Sequence, residues 1–318
     1  MLRTILVPQD GSILAERALP YATRLARGTG ARVVLVRAAA ATPLPGQDAG
    51  AAQQAAVARA EAELGVIAER VRGEGLEVEA HVYYDAADTA ILDAAGRAHA
   101  DLIVMSTHGR SGLGRWVYGS VADAVLRGAS VPVLLVPPAC KTTRPAAERL
   151  RILVPLDGSA LAEAALGPIG DLAAALGAEL LLLQVVEFAV PMLTDGAVYM
   201  PEWDAEAEVK EAREYLERVA AGPRAAGLSV RTLAVAAAPS VVGQAAAVIA
   251  ETAAREGADL IALGTHGRGG LARLVMGSVA TGVLQRASVP MLLLRPAVVA
   301  RRGAGLSAAE TAGVGAGG

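Results

Sequence analysis

Residues 106–126 read STHGRSGLGRWVYGSVADAVL, and residues 264–284 read GTHGRGGLARLVMGSVATGVL. The two stretches are offset by 264 − 106 = 158 positions. Upstream, ILVPQDGS at 5–12 is answered by ILVPLDGS at 152–159, an offset of 152 − 5 = 147. The second copy therefore carries 158 − 147 = 11 extra residues between its motifs. Two matches in the same order mark a duplication. The repeat is far longer than the 20–50-residue period of a solenoid, so each copy is a domain in its own right. We expect domains at 1–138 and 150–297. The segment 139–149 is proline-bearing and polar and reads as a linker. Residues 298–318 are rich in glycine and alanine without apolar periodicity and read as disordered.

Around these motifs, short apolar runs alternate with longer helical patterns. Strand candidates in the first copy are 3–8, 32–38, 76–83, 101–106 and 131–136. In the second they are 150–155, 179–186, 228–235, 259–264 and 289–294. Most are continuously apolar, as strands buried on both faces are. Segments 12–27, 51–73 and 206–222 place apolar residues at helical spacing. Strand alternating with helix predicts parallel strands and right-handed crossovers. The fold class is α/β, with each copy a doubly wound, open, parallel five-stranded sheet. Such sheets bind ligands beyond the carboxyl ends of their strands, near the switch in strand order.

Composition narrows the function classes. The chain has 318 residues, 53% hydrophobic and 19% charged, with net charge −3. A general nucleic-acid binder carries a basic excess, which is missing here. Cys140 is the only cysteine, which suits a reducing compartment. The apolar start, 4–8, is too short for a signal-peptide core. No run of about 18 uninterrupted apolar residues exists. We expect a soluble, cytoplasmic protein without a membrane or nucleic-acid partner.

The second copy offers Gly264, two residues, Gly267, nine residues, then Gly277 and Ser278. Glycine permits positive φ and lets a ligand approach where a Cβ would stand. Free N–H groups at a helix N-terminus favour an anion. Ser278 could cap that helix or donate to a phosphate. Arg268 and Arg273 could add charged contacts. The alternative is an ordinary strand–turn–helix connection, which the repetition of the spacing in both copies disfavours.

This G-x2-G-x9-G-[ST] pattern, preceded by ADLI and followed by VPMLLL, resembles that of nucleotide-binding universal stress proteins. The opening V-P-x-D-G-S strengthens the resemblance, which covers nearly all of both copies. It implies a strand order of 3-2-1-4-5, as in adenine nucleotide alpha hydrolase-like folds, and domains packed as a pseudo-two-fold pair, with a homodimer as a further option. It implies ATP as ligand, with Mg²⁺. Gly267, Gly277 and Ser278 would meet the phosphates, with Val279 following. Gly264 would lie by ribose and phosphates. Pro155 and Asp157 would contact the adenosine part, and Asp157 could also help hold a metal. Val185 would offer backbone groups to adenine. The matching first-copy residues are Pro8, Asp10, Ala38, Ser106, Gly109, Gly119, Ser120 and Val121. Arg110 and Arg115 parallel the two loop arginines. Ser106 departs from the pattern: it adds a Cβ and restricts φ where the family has glycine.

Other residues carry a structural reading beside the functional one. Asp10 and Asp157 suit a turn before an N-cap at Ser12 or Ser159. Glu16 and Glu163 stand one position too far on for a capping box. His108 and His266 lack neighbours at metal-ligand spacing and read as loop-structural. His81 and His99 have no motif around them. Trp116, Tyr118, Tyr199 and Trp203 read as packing residues. Residues 188–203 form an irregular insert, either a flap or interface material. Walker, kinase and serine-hydrolase motifs are missing. The expected function is ATP binding with a regulatory output and at most slow hydrolysis. The rival is a nucleotide-free interaction scaffold.

Overall fold

The structure is a computed structural model, and it describes residues 2–40, 48–107, 119–140, 149–187, 204–238, 244–264 and 276–295. The chain divides into two compact units, 1–146 and 147–318.

The first unit runs β1 (Thr4–Pro8), α1 (Ile13–Glu16), α2 (Leu19–Thr29), β2 (Arg32–Ala38), α3 (Ala49–Gly73), β3 (Val78–Tyr83), α4 (Ala87–Arg97), β4 (Leu102–Ser106), α5 (Ser120–Gly128) and β5 (Val133–Val136). Its strands pair in parallel in the order β3-β2-β1-β4-β5. The second unit repeats this with β6 (Arg151–Pro155), α6 (Ala160–Ala164), α7 (Leu166–Leu176), β7 (Glu179–Val186), α8 (Ala205–Ala225), β8 (Ser229–Ala236), α9 (Ala245–Arg255), β9 (Leu260–Gly264), α10 (Ser278–Arg286) and β10 (Met291–Leu294). Its order is β8-β7-β6-β9-β10. The expected 3-2-1-4-5 order is present in each unit.

Central strands are buried on both faces. Ile5, Leu6, Val33 to Leu35, Ile103, Leu153 and Leu180 to Leu182 have essentially no exposed surface. Burial at about 25 cal/mol per Å² makes these residues the main source of stability. The edge strands β3 and β8 are different. Most of their residues are half-buried or exposed, because α3 and α8 cover only one face and no inner neighbour lies beyond them. These two strands are the exceptions to the reading that most strands are buried on both faces.

The segment 12–27 is not one helix. It forms α1 and then α2, with Pro20 in the first turn of α2. Proline has no N–H, and its ring clashes with the carbonyl four residues back, so a continuous helix through 16–20 is blocked. Pro168 sits one position later, third in α7, behind the short α6.

Candidate functional site at the carboxyl edge

The first strand of each unit ends in a tight turn. Gly11 and Gly158 both have φ of 79°, a conformation that requires glycine here. Asp10 Oδ1 accepts from the Ser12 N–H at 2.9 Å. Asp157 Oδ1 accepts from Ser159 N at 3.0 Å and from Ser159 Oγ at 2.6 Å. Ser12 and Ser159 then cap α1 and α6, accepting from Ala15 N at 3.1 Å and Ala162 N at 3.2 Å. The turn-and-cap reading of Asp-Gly-Ser is realised in both units. It holds each aspartate at the strand's carboxyl end. Glu16 is not part of the cap; it pairs with Arg70 of α3.

Pro8 lies beside Val36 and Pro155 beside Leu183 in register. The last bonds between these strands run from Gln9 N to Val36 O and from Leu156 N to Leu183 O, both 2.7 Å. Beyond them β2 and β7 continue, while β1 and β6 have turned away. A strand residue points its N–H and C=O to the same neighbour, and successive residues alternate. Val36 and Leu183 face β1 and β6, so Ala38 and Val185 face that same side. Their backbone groups project past the ends of β1 and β6. Ala39 and Val186 bond the other way, toward β3 and β8.

On the other side of β1 lies β4. Ser106 and Gly264 are regular strand residues, paired with Val136 and Leu294. The expected φ restriction at Ser106 is therefore no obstacle, since an extended strand accepts any residue. The remaining difference is its Cβ and hydroxyl.

After β4, Thr107 is buried; it donates to Val136 O at 3.2 Å and accepts from Gly119 N at 2.7 Å. This closes the base of the connection to α5. Gly119 and Gly277 are the N-caps of α5 and α10, and neither supplies a side-chain cap. Ser120 and Ser278 are the first helical residues, so the expectation that Ser278 caps its helix is corrected. The two glycines have φ of −68° and −56°, so neither needs glycine for its backbone. A Cβ on Gly119 would meet only Thr107 O, at 3.4 Å. Glycine there leaves space in front of a helix terminus whose N–H groups carry partial positive charge. Val121 and Val279 follow in the first turns. Gly109, Arg110, Gly267 and Arg268 lie outside the described residues. So do Arg115, Arg273, His108, His266, Trp116, Tyr118 and the insert 188–203.

The described candidates thus line the carboxyl edge of three neighbouring strands, β2, β1 and β4, and of β7, β6 and β9. Adjacent strands lie about 4.8 Å apart, so each row is roughly 10 Å long. In each unit it straddles the switch in strand order.

Sequence reasoning missed a polar pair beneath this edge. In the first unit Arg37, 5% exposed, pairs with Glu63 of α3 at 2.5 Å, and Arg59 joins Glu63 at 2.9 Å. Hydrogen bonds from Arg59 and then Arg37 hold the Glu63 carboxyl below the usual range. In the second unit the same places hold Gln184 and Tyr215. Burial, then the adjoining Glu163 carboxylate and the charge of Asp157, push the Tyr215 hydroxyl well above its ordinary pKa. A single arginine in RVVLVRA, or a glutamine in LLLLQVV, was the available signal.

Among the described residues no helix is long and apolar enough to cross a membrane, and no group of three or more His, Cys, Asp or Glu could hold a metal ion. The model of the universal stress protein family matches residues 1–137 and 148–295. The chain belongs to the universal stress protein family. A universal stress protein of Mycobacterium tuberculosis is 31% identical over 199 residues, 62% of this chain and 62% of that relative. One of Mycolicibacterium smegmatis is 30% identical over 223 residues, 70% of each chain. The match thus spans less than two thirds of the length of the former relative. The crystal structure of a universal stress protein from Archaeoglobus fulgidus covers 92% of this chain and 98% of its own, with a TM-score of 0.67 at 22% identity. That likeness is one of fold.

Proposed function

We propose that this universal stress protein binds a nucleoside triphosphate at the carboxyl edge of each unit, ATP foremost in the second, and that the bound state serves a regulatory role. The observation that carries this reading is the row of groups at that edge. Val185 and Ala38 present backbone donors and acceptors to a base. Asp157 and Asp10 sit beside the next strand for a ribose. Gly277 and Gly119 leave helix N-termini without a side-chain cap, suited to phosphate oxygens. The order base, sugar, phosphate follows the strand order β7, β6, β9. The linear extent of roughly 10 Å fits a nucleotide laid across three strands.

Mg²⁺ fits this arrangement only as an ion carried on the phosphates. It keeps most of its waters and needs few protein ligands, and Asp157 or Asp10 is the carboxylate nearest that role. The protein's own groups bind and orient. A reducing, cytoplasmic setting accords with the single cysteine.

The test is the nucleotide released from purified, heat-denatured protein, followed by calorimetric titration of ATP with Mg²⁺. Two equivalents per chain support both sites. One equivalent, lost in Gly277→Arg, assigns the site to the second unit. No released nucleotide and no heat would overturn the proposal and leave a nucleotide-free scaffold.

A further inference from the structure

The two units differ at one place beneath the proposed base position. Arg37 and Gln184 occupy the same register, each following the residue that accepts the last bond from the first strand. Glu63 and Tyr215 are likewise equivalent. Arg72 and Arg224, each nine positions further on, make the same bonds to Val78 O and Val230 O. Where Arg37 is buried against Glu63, the second unit has two neutral groups.

Each unit leaves hydrogen-bonding capacity unmet there. In the first, Arg37 Nη1, a donor, and Gln9 Oε1, an acceptor, are shielded from water and bonded to nothing. Arg37 is 5% exposed and Gln9 2%. Gln9 directly follows β1, its N–H bonds Val36 O just before Arg37, and its amide nitrogen donates to Ala15 O at 3.2 Å. In the second unit the unmet groups are Gln184 Oε1, an acceptor at the Arg37 position, and the Tyr215 hydroxyl at the Glu63 position. The Gln9 position is Leu156, which offers nothing polar. Buried polar groups are nearly always satisfied, so such orphans mark a place where a partner belongs.

We propose that the two units read different purine edges. The first prefers a 6-oxopurine nucleotide, and the second a 6-aminopurine nucleotide. This rests on the nucleotide reading above and deepens it. A 6-oxopurine presents an acceptor, O6, beside a donor, N1–H. Arg37 Nη1 and Gln9 Oε1 are their complements. Adenine presents a donor, N6–H₂, which Gln184 Oε1 accepts, and its N1 bears no hydrogen, so Leu156 leaves no N1 donor unmet. Adenine in the first unit would set its N6 donors against an arginine and leave Gln9 Oε1 unmet. Arginine donating to guanine O6 and glutamine accepting from adenine N6 also serve base reading in nucleic acids, there together with N7. Both side chains stand one residue from the open edge, Gln9 after Pro8 and Arg37 before Ala38.

The test uses full-length Gly277→Arg, in which only the first unit binds, and Gly119→Arg, in which only the second does. Each is titrated with GTP and with ATP in Mg²⁺. We expect GTP to bind the first unit about tenfold or more tighter than ATP, with the order reversed in the second. Gln9→Leu in the Gly277→Arg background should remove most of the GTP preference. It keeps the Arg37–Glu63 pair, loses the bond to Ala15 O, and introduces the leucine that the second unit carries at Leu156; far-ultraviolet circular dichroism checks that folding is retained. Equal affinities in the first unit, or a preference unmoved by Gln9→Leu, would overturn the proposal: the orphans are then met by water or by each other. ATP binding to the second unit in that same experiment would leave the nucleotide reading standing. No binding of either nucleotide to either unit would remove both.

Discussion

Single residues show where chemistry departs from pattern. Cys140 is the clearest case. Burial pushes its thiol up to about 12, against smaller opposing effects of the Tyr21 hydroxyl and the Arg17 charge. At pH 8 roughly one thiol in ten thousand is then ionised, against about a quarter for a free cysteine. The native protein should react with a disulfide reagent at least about 100-fold more slowly than the urea-unfolded chain. Reaction at equal rates would show that the burial is not maintained in solution. At its helix N-cap Gly277 supplies no side-chain cap. Its φ of −56° is open to any residue, so Gly277→Arg should fold normally while blocking one site. Calorimetry on the variant should lose one equivalent of ATP, with an unchanged circular dichroism spectrum.

Elements are held by local pairs whose strength depends on pH. Arg224, near the end of α8, bonds Glu217 at 2.5 Å and reaches Val230 O on β8. The Arg224 guanidinium, then the Thr232 hydroxyl, hold the Glu217 carboxyl down to about 2, from an ordinary 4.5. A carboxylate depressed in the folded state stabilises above its unfolded pKa, and that contribution is lost as pH falls toward the folded value. Glu217→Gln should therefore lower the urea midpoint at pH 7, and the gap to wild type should narrow between about pH 5 and about pH 3. The pair is solvent-exposed, so the effect is small. A gap independent of pH would rule out this assignment. The helix break at Pro20 belongs to the same scale: helical spacing in 12–27 was legible, and the break followed from proline's missing N–H.

For the molecule as a whole, ligand binding is a stability term. A nucleotide that binds only the folded state, at about 100 times its Kd, stabilises by about 2.7 kcal/mol. ATP with Mg²⁺ should raise the urea midpoint of the wild type. It should do nothing for Gly119→Arg/Gly277→Arg. A shift that persists in the double variant would place binding elsewhere. Two compact units make it informative to follow unfolding by more than one probe, since two-state behaviour is not assured.

Within the chain's own letters lay the duplication, the ten strands to within two residues at each end, and the glycines and aspartates of the candidate site. Those signals are local: apolar runs, turn glycines and fixed spacings persist whatever the chain does elsewhere. Strand order and loop identity came through family resemblance, not through periodicity. Only the folded structure revealed that β2 and β7 outrun β1 and β6, which turns the backbone of Ala38 and Val185 toward the open edge. Only folding brings Arg37 to Glu63 across 26 residues, since 63 − 37 = 26, and buries Gln9 Oε1 and Arg37 Nη1 without partners. These depend on register and on how a helix lies over a strand. The pairing of distant residues is fixed by packing and leaves no spacing rule in the sequence.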